Sequence, residues 1–153
     1  MKTAIVCDSW QGNTEKVAKA MAEEIGAKLY RAGEAKPDEI AKYDLVGFGS
    51  GIAAGKPHGA IMGLIGKLGQ MKGKKAFVFS TSGSGELKMH AALKEKATSM
   101  GFRVLGEFCC KGQFSSMKIL FWEMKFKPTN PGKPDAADLE NARKFAAGMK
   151  EAG

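Results

Sequence analysis

Cysteine and histidine are scarce in this sequence: three cysteines, two of them the adjacent Cys109 and Cys110, and two histidines, His58 and His90. An odd, partly adjacent set is not a disulfide framework, and two separated histidines give no zinc spacing, so the thiols are read as reduced core side chains. No apolar run approaches the length that crosses a bilayer. Met1-Lys2-Thr3-Ala4-Ile5-Val6 passes straight into an apolar stretch without signal-peptide organisation, so the expected location is the cytoplasm. Acidic residues are the minority, 16 against 24 Lys and Arg, leaving a net charge of +8. No acidic residue stands between Asp44 and Glu86. That gap removes the ribose partner of a dinucleotide fingerprint, although Gly49-Ser50-Gly51-Ile52-Ala53-Ala54 has the form G-x-G-x-x-A.

What is present is a succession of apolar strands and amphipathic helices in a chain of 153 residues, 44% hydrophobic and 26% charged, enough for one domain with a real core. Residues 3–7 form a continuous apolar strand. Val17, Met21 and Ile25 then recur on one helical face, with Glu15 and Lys19 paired outside and Gly26 as the stop. A short strand over 28–31 and a helical turn over 38–40 precede two buried strands, 45–49 and 75–79, with a glycine-rich helix over 59–69 between them. A helix over 87–100 leads to a last long strand over 102–110. Near-continuous apolar strands alternating with helices suit a parallel sheet covered on both sides. The predicted fold is α/β, a doubly wound open sheet of five parallel strands with helices on both faces.

Between the first strand and the first helix the chain reads Asp8-Ser9-Trp10-Gln11-Gly12-Asn13-Thr14. Backbone N–H groups at a helix start lack intrahelical partners and lie at the positive end of the helix dipole, so an anion is stabilised there. Ser9 and Thr14 add hydroxyls, Asn13 an amide, and Gly12 close backbone approach. No lysine follows the glycine as in nucleotide triphosphatases, which points to a monophosphate; an ordinary capped helix start is the alternative. In an open α/β sheet, ligands bind beyond the carboxyl ends of the strands. The turns after the next two strong strands, Ser50-Gly51-Ile52-Ala53-Ala54-Gly55-Lys56-Pro57-His58-Gly59 and Ser80-Thr81-Ser82-Gly83-Ser84-Gly85, are also rich in glycine and hydroxyls. Backbone amides that can approach without intervening side chains suit a flat heterocycle rich in acceptors.

Gly12-Asn13-Thr14, with Ser9 ahead of it, resembles the phosphate loop of flavodoxins, Gln11 standing where that family more often has threonine. The resemblance extends through Gly49-Ser50-Gly51, Ala54-Gly55-Lys56-Pro57, the serine-glycine turn after residue 79, Cys110-Lys111-Gly112 and Gly132-Lys133-Pro134-Asp135. It implies an electron carrier that binds flavin mononucleotide (FMN). Ser9, Trp10, Gln11, Gly12, Asn13 and Thr14 are expected at the phosphate, and Ser50, Gly51, Ile52 and Ala53 at the redox-active edge. Ser80, Thr81, Ser82, Gly83 and Gly85 are expected at the pyrimidine end. At Gly51 a positive φ is expected to let the peptide flip with redox state. An FMN-dependent NAD(P)H:quinone or small-acceptor reductase on the same scaffold is the alternative, and a module without flavin a third.

Two features depart from the family. Many flavodoxins sandwich the flavin between aromatic side chains of the second and third turns, whereas here those turns have none; Trp10, Phe114, Phe121 and Trp122 are the candidates to replace them. Family members are typically acidic, so the +8 charge of this chain turns the expectation toward redox partner proteins with acidic docking faces. Lys111 and, in a segment about 112–134 that reads as a long irregular insertion, Lys118, Lys125, Lys127 and Lys133 are interleaved with Met117, Ile119, Trp122, Met124 and Phe126. A cover for the flavin site, a homodimer surface or a partner's docking site is preferred there to nucleic acid or a membrane surface. His58 is a candidate ligand contact beside the second turn, and His90 is expected on a helix surface.

Overall fold

The apolar runs become the strands of a parallel sheet. The computed structural model describes residues 1–9, 12–119 and 122–153, with the backbone alone for 114–119 and 122–128. In chain order the elements are β1 (Thr3–Asp8), α1 (Asn13–Ile25), β2 (Lys28–Arg31), α2 (Pro37–Ile40), β3 (Leu45–Ala53), β4 (Lys56–Pro57), α3 (Gly59–Gly66) and β5 (Lys75–Ser82). A 3₁₀ turn (Leu87–His90), α4 (Ala91–Ser99), β6 (Arg103–Lys111), β7 (Phe114–Ile119), β8 (Trp122–Thr129) and α5 (Ala136–Ala152) follow. The sheet runs β2-β1-β3-β5-β6, five strands and all parallel; β4 adds two antiparallel residues to the end of β3. None of the described helices is long and apolar enough to cross a membrane.

Side chains alternate across each strand, which divides the apolar runs between two cores. Val6, Val46, Phe48 and Val78 face Ile61, Ile65 and Leu93 of α3 and α4. Ile5, Cys7, Leu45, Phe77 and Phe79 face Val17, Met21 and Ile25 of α1 and Ala142 and Ala146 of α5. Glycine makes that second core possible. A Cβ on Gly47 would stand 2.4 Å from the Phe77 ring, and one on Gly49 2.2 Å from the Phe79 ring, so these two rings lie in space that β3 leaves open. Phe77 also meets Phe145 of α5 edge-on, with centroids 5.7 Å apart.

The register of β6 against β5 shifts between Ala76 and Val78, placing Glu107 opposite Val78. The bulge puts a carboxylate on the α3/α4 side of the sheet, where His90 is enclosed. His90, expected on a helix surface, is fully buried because Glu107 and Ser80 supply partners for both ring nitrogens.

Three stretches differ in form from the sequence pattern. β3 and β5 continue beyond residues 49 and 79, so Ser50 to Ala53 and Ser80 to Ser82 are strand rather than loop. The segment read as irregular contains an antiparallel pair, β7 and β8, with Met117 opposite Met124. α5 starts from a capping box in which the Asp135 carboxylate accepts from Asp138 N–H at 2.9 Å and the Asp138 carboxylate from Asp135 N–H at 3.0 Å.

Candidate functional site

The carboxyl ends of β1, β3 and β5 meet at one rim, and a cavity of about 230 Å³ opens there. Ser9 and Asn13 line it from the first turn, Gly51, Ile52, Ala53, Ala54 and His58 from the second, and Thr81, Ser82 and Gly83 from the third. Gly112, Gln113 and Thr129 complete it from the end of β6 and the two outer ends of the β7–β8 pair. The three turns singled out by composition therefore converge.

At the first turn Gly12, at φ +79°, is the N-cap of α1, and among the described residues no side chain caps the helix. Its first N–H groups are thus available to a ligand. The Ser9 hydroxyl is buried with no hydrogen-bond partner among the described residues. An orphaned buried hydroxyl is costly unless something else completes it. Thr14 and Thr81 share a buried hydroxyl hydrogen bond of 2.7 Å that ties the first turn to the third. Asn13, expected at a phosphate, donates from Nδ2 to the Gln113 carbonyl at 2.7 Å. A Cβ on Gly112 would lie 2.6 Å from that Nδ2, so glycine is required for the contact. On the far side Asn130 donates to the carbonyls of Gly83 at 2.8 Å and Gly112 at 3.3 Å. Trp10, Gln11 and Phe121 lie outside the described residues, as do the side chains of Phe114 and Trp122.

In the second turn, Ile52 pairs with Pro57 and Ala53 with Lys56. The two residues between, Ala54 and Gly55, have φ of +52° and +76°, the signature of a type I′ hairpin. Left-handed backbone is therefore at Ala54 and Gly55, not at the expected Gly51. At Gly51 space is tight instead: a Cβ there would meet Ser9 Cβ at 3.3 Å and Thr14 Oγ1 at 3.4 Å. Ser50 is buried and outside the lining; its hydroxyl accepts from His58 N–H at 2.8 Å and donates to the Gly51 carbonyl at 2.7 Å. His58 Nδ1 is 3.6 Å from Asp8 Oδ2. Burial pushes the His58 imidazole below its ordinary pKa, against the opposing pull of Asp8.

The third turn divides its hydroxyls. Thr81, Ser82 and Gly83 line the cavity, whereas Ser80 turns to the opposite side and lies 2.6 Å from His90 Nδ1. His90 Nε2 continues to Glu107 at 3.2 Å, and Lys94 donates to the other oxygen of Glu107 at 3.0 Å. Burial holds His90 below its ordinary range despite Glu107. Burial raises the Glu107 carboxyl, yet the hydrogen bonds from Lys94 and His90 outweigh it and leave the group lowered. Gly85, at φ +65°, donates its N–H to Ser82 Oγ at 2.9 Å and shapes the turn from outside the lining. Gly112, Gln113 and Thr129 were not singled out as ligand contacts; the available signal was a glycine directly after the carboxyl end of an apolar strand.

The family model for the flavodoxin domain matches residues 4–134. The chain belongs to the flavodoxin family. It is 43% identical over 138 residues, 88% of this chain and 87% of the other, to an uncharacterized protein of Methanocaldococcus jannaschii. Its fold is similar to that of a flavodoxin from the domain Archaea, with a TM-score of 0.75 at 18% identity over 99% of this chain and 98% of that one. Oxidised flavodoxin 1 from Bacillus cereus gives a TM-score of 0.75 at 19% identity, with the same two coverages.

Membership of the flavodoxin family implies a flavin cofactor, and the residues present fit one. The unpartnered Ser9 hydroxyl and the uncapped start of α1 suit an anionic end. Gly51, Ala53, Ala54 and Gly83 leave a lining of small groups for a flat one. Among the described lining residues, His58 carries the single ring, so this flavodoxin-family site lacks the aromatic sandwich over that part of its wall.

Proposed function

We propose that this chain binds FMN non-covalently and carries electrons, one or two at a time, between redox partner proteins. The observation that carries the reading is the buried Ser9 hydroxyl, without a partner among the described residues, beside a start of α1 that none of them caps, on the rim where three turns meet. A phosphate would complete Ser9 Oγ and the first N–H groups of α1 together, each such bond to a charged group contributing about 1.5–3 kcal/mol. When bound, the isoalloxazine ring supplies the electron chemistry. The protein orients the ring and sets the charge around it. The described phosphate-turn residues, Ser9, Gly12, Asn13 and Thr14, include no cation, so further negative charge in the cavity is disfavoured and the second electron is taken up at lower potential.

The cavity, about 230 Å³, is smaller than the roughly 300–1,000 Å³ of pockets that engulf a ligand of this size. Part of the ring would stay in solvent, where a partner's cofactor can approach, which favours a carrier. A net charge of +8 suits partners with acidic docking faces. The free thiols of Cys7, Cys109 and Cys110 suit a reducing compartment.

The purified protein is expected to be yellow and to release FMN on denaturation. Titration calorimetry should show FMN binding at least about a hundredfold more tightly than riboflavin, the ratio that two phosphate hydrogen bonds supply. Equal affinity for both, or no binding, would overturn the assignment. A second reading, an NAD(P)H-dependent reductase of small acceptors, is favoured by the lining of small residues over which a substrate could stack. Steady NAD(P)H consumption by the pure FMN-loaded protein would decide for it.

A further inference from the structure

His58, which lines the cavity, forms an ionisable pair with Asp8. Asp8 ends β1 immediately before Ser9, and His58 lies between β4 and α3, its Nδ1 3.6 Å from Asp8 Oδ2. The His58 side chain is 8% exposed and lines the cavity. Its main chain is pinned by donation to the fully buried Ser50. The ring is thus held by the ends of β1, β3 and β4 together.

Several described charges on neighbouring elements are paired elsewhere. β3 (LVGFGSGIA) and α3 (GAIMGLIG) carry no ionisable side chain. In the 3₁₀ turn and α4, which pack on β4, Lys88 pairs with Glu86, and His90 and Lys94 pair with Glu107. Lys56 of β4 is exposed. Burial pulls His58 toward the neutral ring, and Asp8 pulls it toward imidazolium. Two opposed influences leave such a group responsive to a third, and negative charge entering the cavity is a third of the right sign.

We propose that the Asp8–His58 pair couples electron uptake at this site to proton uptake. With FMN bound, an electron supplied by a one-electron donor, dithionite in the laboratory, would add negative charge to the cavity; His58 would take up a proton from solvent, and Asp8 would hold the imidazolium in place. The inference rests on the FMN-carrier reading and adds to it a residue of this chain that offsets charge.

With two histidines in the chain, the imidazole C2–H resonances can be followed by NMR across pH in the FMN-loaded protein, oxidised and then dithionite-reduced. His58→Gln assigns the signals, and His90→Gln assigns them by elimination if the first variant does not fold. The expected result is a His58 pKa higher by at least about one unit in the reduced protein, a tenfold gain in proton affinity, with His90 unmoved. Correspondingly, the midpoint potential of the wild type should depend on pH more steeply than that of His58→Gln, by up to tenfold per pH unit in the one-electron equilibrium, about 59 mV. An identical His58 pKa in both redox states of a protein that does bind FMN overturns this inference alone. A protein that takes up no FMN removes the carrier reading and this one together.

Discussion

Replacing His90 measures how firmly the third turn is held from behind. The imidazole is fully buried, 2.6 Å from Ser80 Oγ and 3.2 Å from Glu107 Oε1. In His90→Leu, of similar volume, the fully buried Ser80 hydroxyl loses its partner, which costs about 1–3 kcal/mol. Glu107 keeps Lys94 and is 24% exposed, so water replaces much of its loss and the further cost is about 0.5 kcal/mol. Ser80→Ala orphans His90 Nδ1 and should cost about 1–3 kcal/mol in turn. Ser80→Ala with His90→Leu removes both ends of the same bond, so the double variant should be more stable than the sum of the singles predicts, by about 1–2 kcal/mol. Urea unfolding near pH 7.5, compared at constant m-value, reads these numbers. Additivity within about 0.3 kcal/mol would refute the hydrogen-bonded chain.

The same variant has a signature in pH. Burial holds His90 below its ordinary pKa, so the folded protein keeps the ring neutral where the unfolded chain, titrating near about 6.5, has begun to protonate it. The unfolded state then binds more protons, and stability falls as pH drops below about 6.5. His58 is lowered too and has the same sign, so His90→Leu should flatten the loss between about pH 7 and 5 without abolishing it. Glu107 is also lowered, and its contribution is lost only as pH falls below the ordinary carboxylate range, outside that window.

Ser9→Ala removes a buried hydroxyl that has no partner among the described residues, so the protein without cofactor should gain up to about 1–3 kcal/mol in thermal stability while FMN affinity drops about tenfold or more in calorimetry; a stability loss with unchanged affinity would contradict its assignment. Gly112→Ala drives a Cβ to 2.6 Å from Asn13 Nδ2, breaking the tie to Gln113. It should cost about 1–2 kcal/mol in urea melts and weaken FMN binding, and no change in either would show that the tie is dispensable. Gly49→Ala places a Cβ 2.2 Å from the Phe79 ring and should lose about 1–3 kcal/mol in thermal unfolding. Burial pushes the thiols of Cys7 and Cys110 up to about 12 and raises Cys109 as well, so iodoacetamide at pH 8 should label the native protein slowly and all three sites in guanidinium, by mass spectrometry. Rapid native labelling of Cys7 or Cys110 would contradict their burial.

The strands and the rim follow from local chemistry. Ile5-Val6-Cys7, Leu45-Val46 and Phe77-Val78-Phe79 are apolar without interruption because each strand is covered on both sides, and the glycine and hydroxyl residues that succeed each lie at the rim where the cavity opens. α5 was less visible: its inward contacts include the small Ala142 and Ala146, which give a weak periodic signal, though Asp135 and Asp138 mark its start.

Which hydroxyls reach the cavity was a different matter. Because β3 and β5 run three or four residues beyond their apolar stretches, alternation sends Ser80 to His90 and Thr81 to Thr14. Gly51 serves the close passage of β3 beside Ser9, not a left-handed turn.

Composition and periodicity alone determined a doubly wound sheet with three small-residue turns at one end, since those properties depend on neighbours along the chain. Tertiary structure alone decided that Asn13 holds Gln113, one hundred positions away, that Asp8 meets His58, and that the ends of the β7–β8 pair close the cavity. Such contacts are made by chain segments remote in sequence, and their distances exist only once the sheet has set its register.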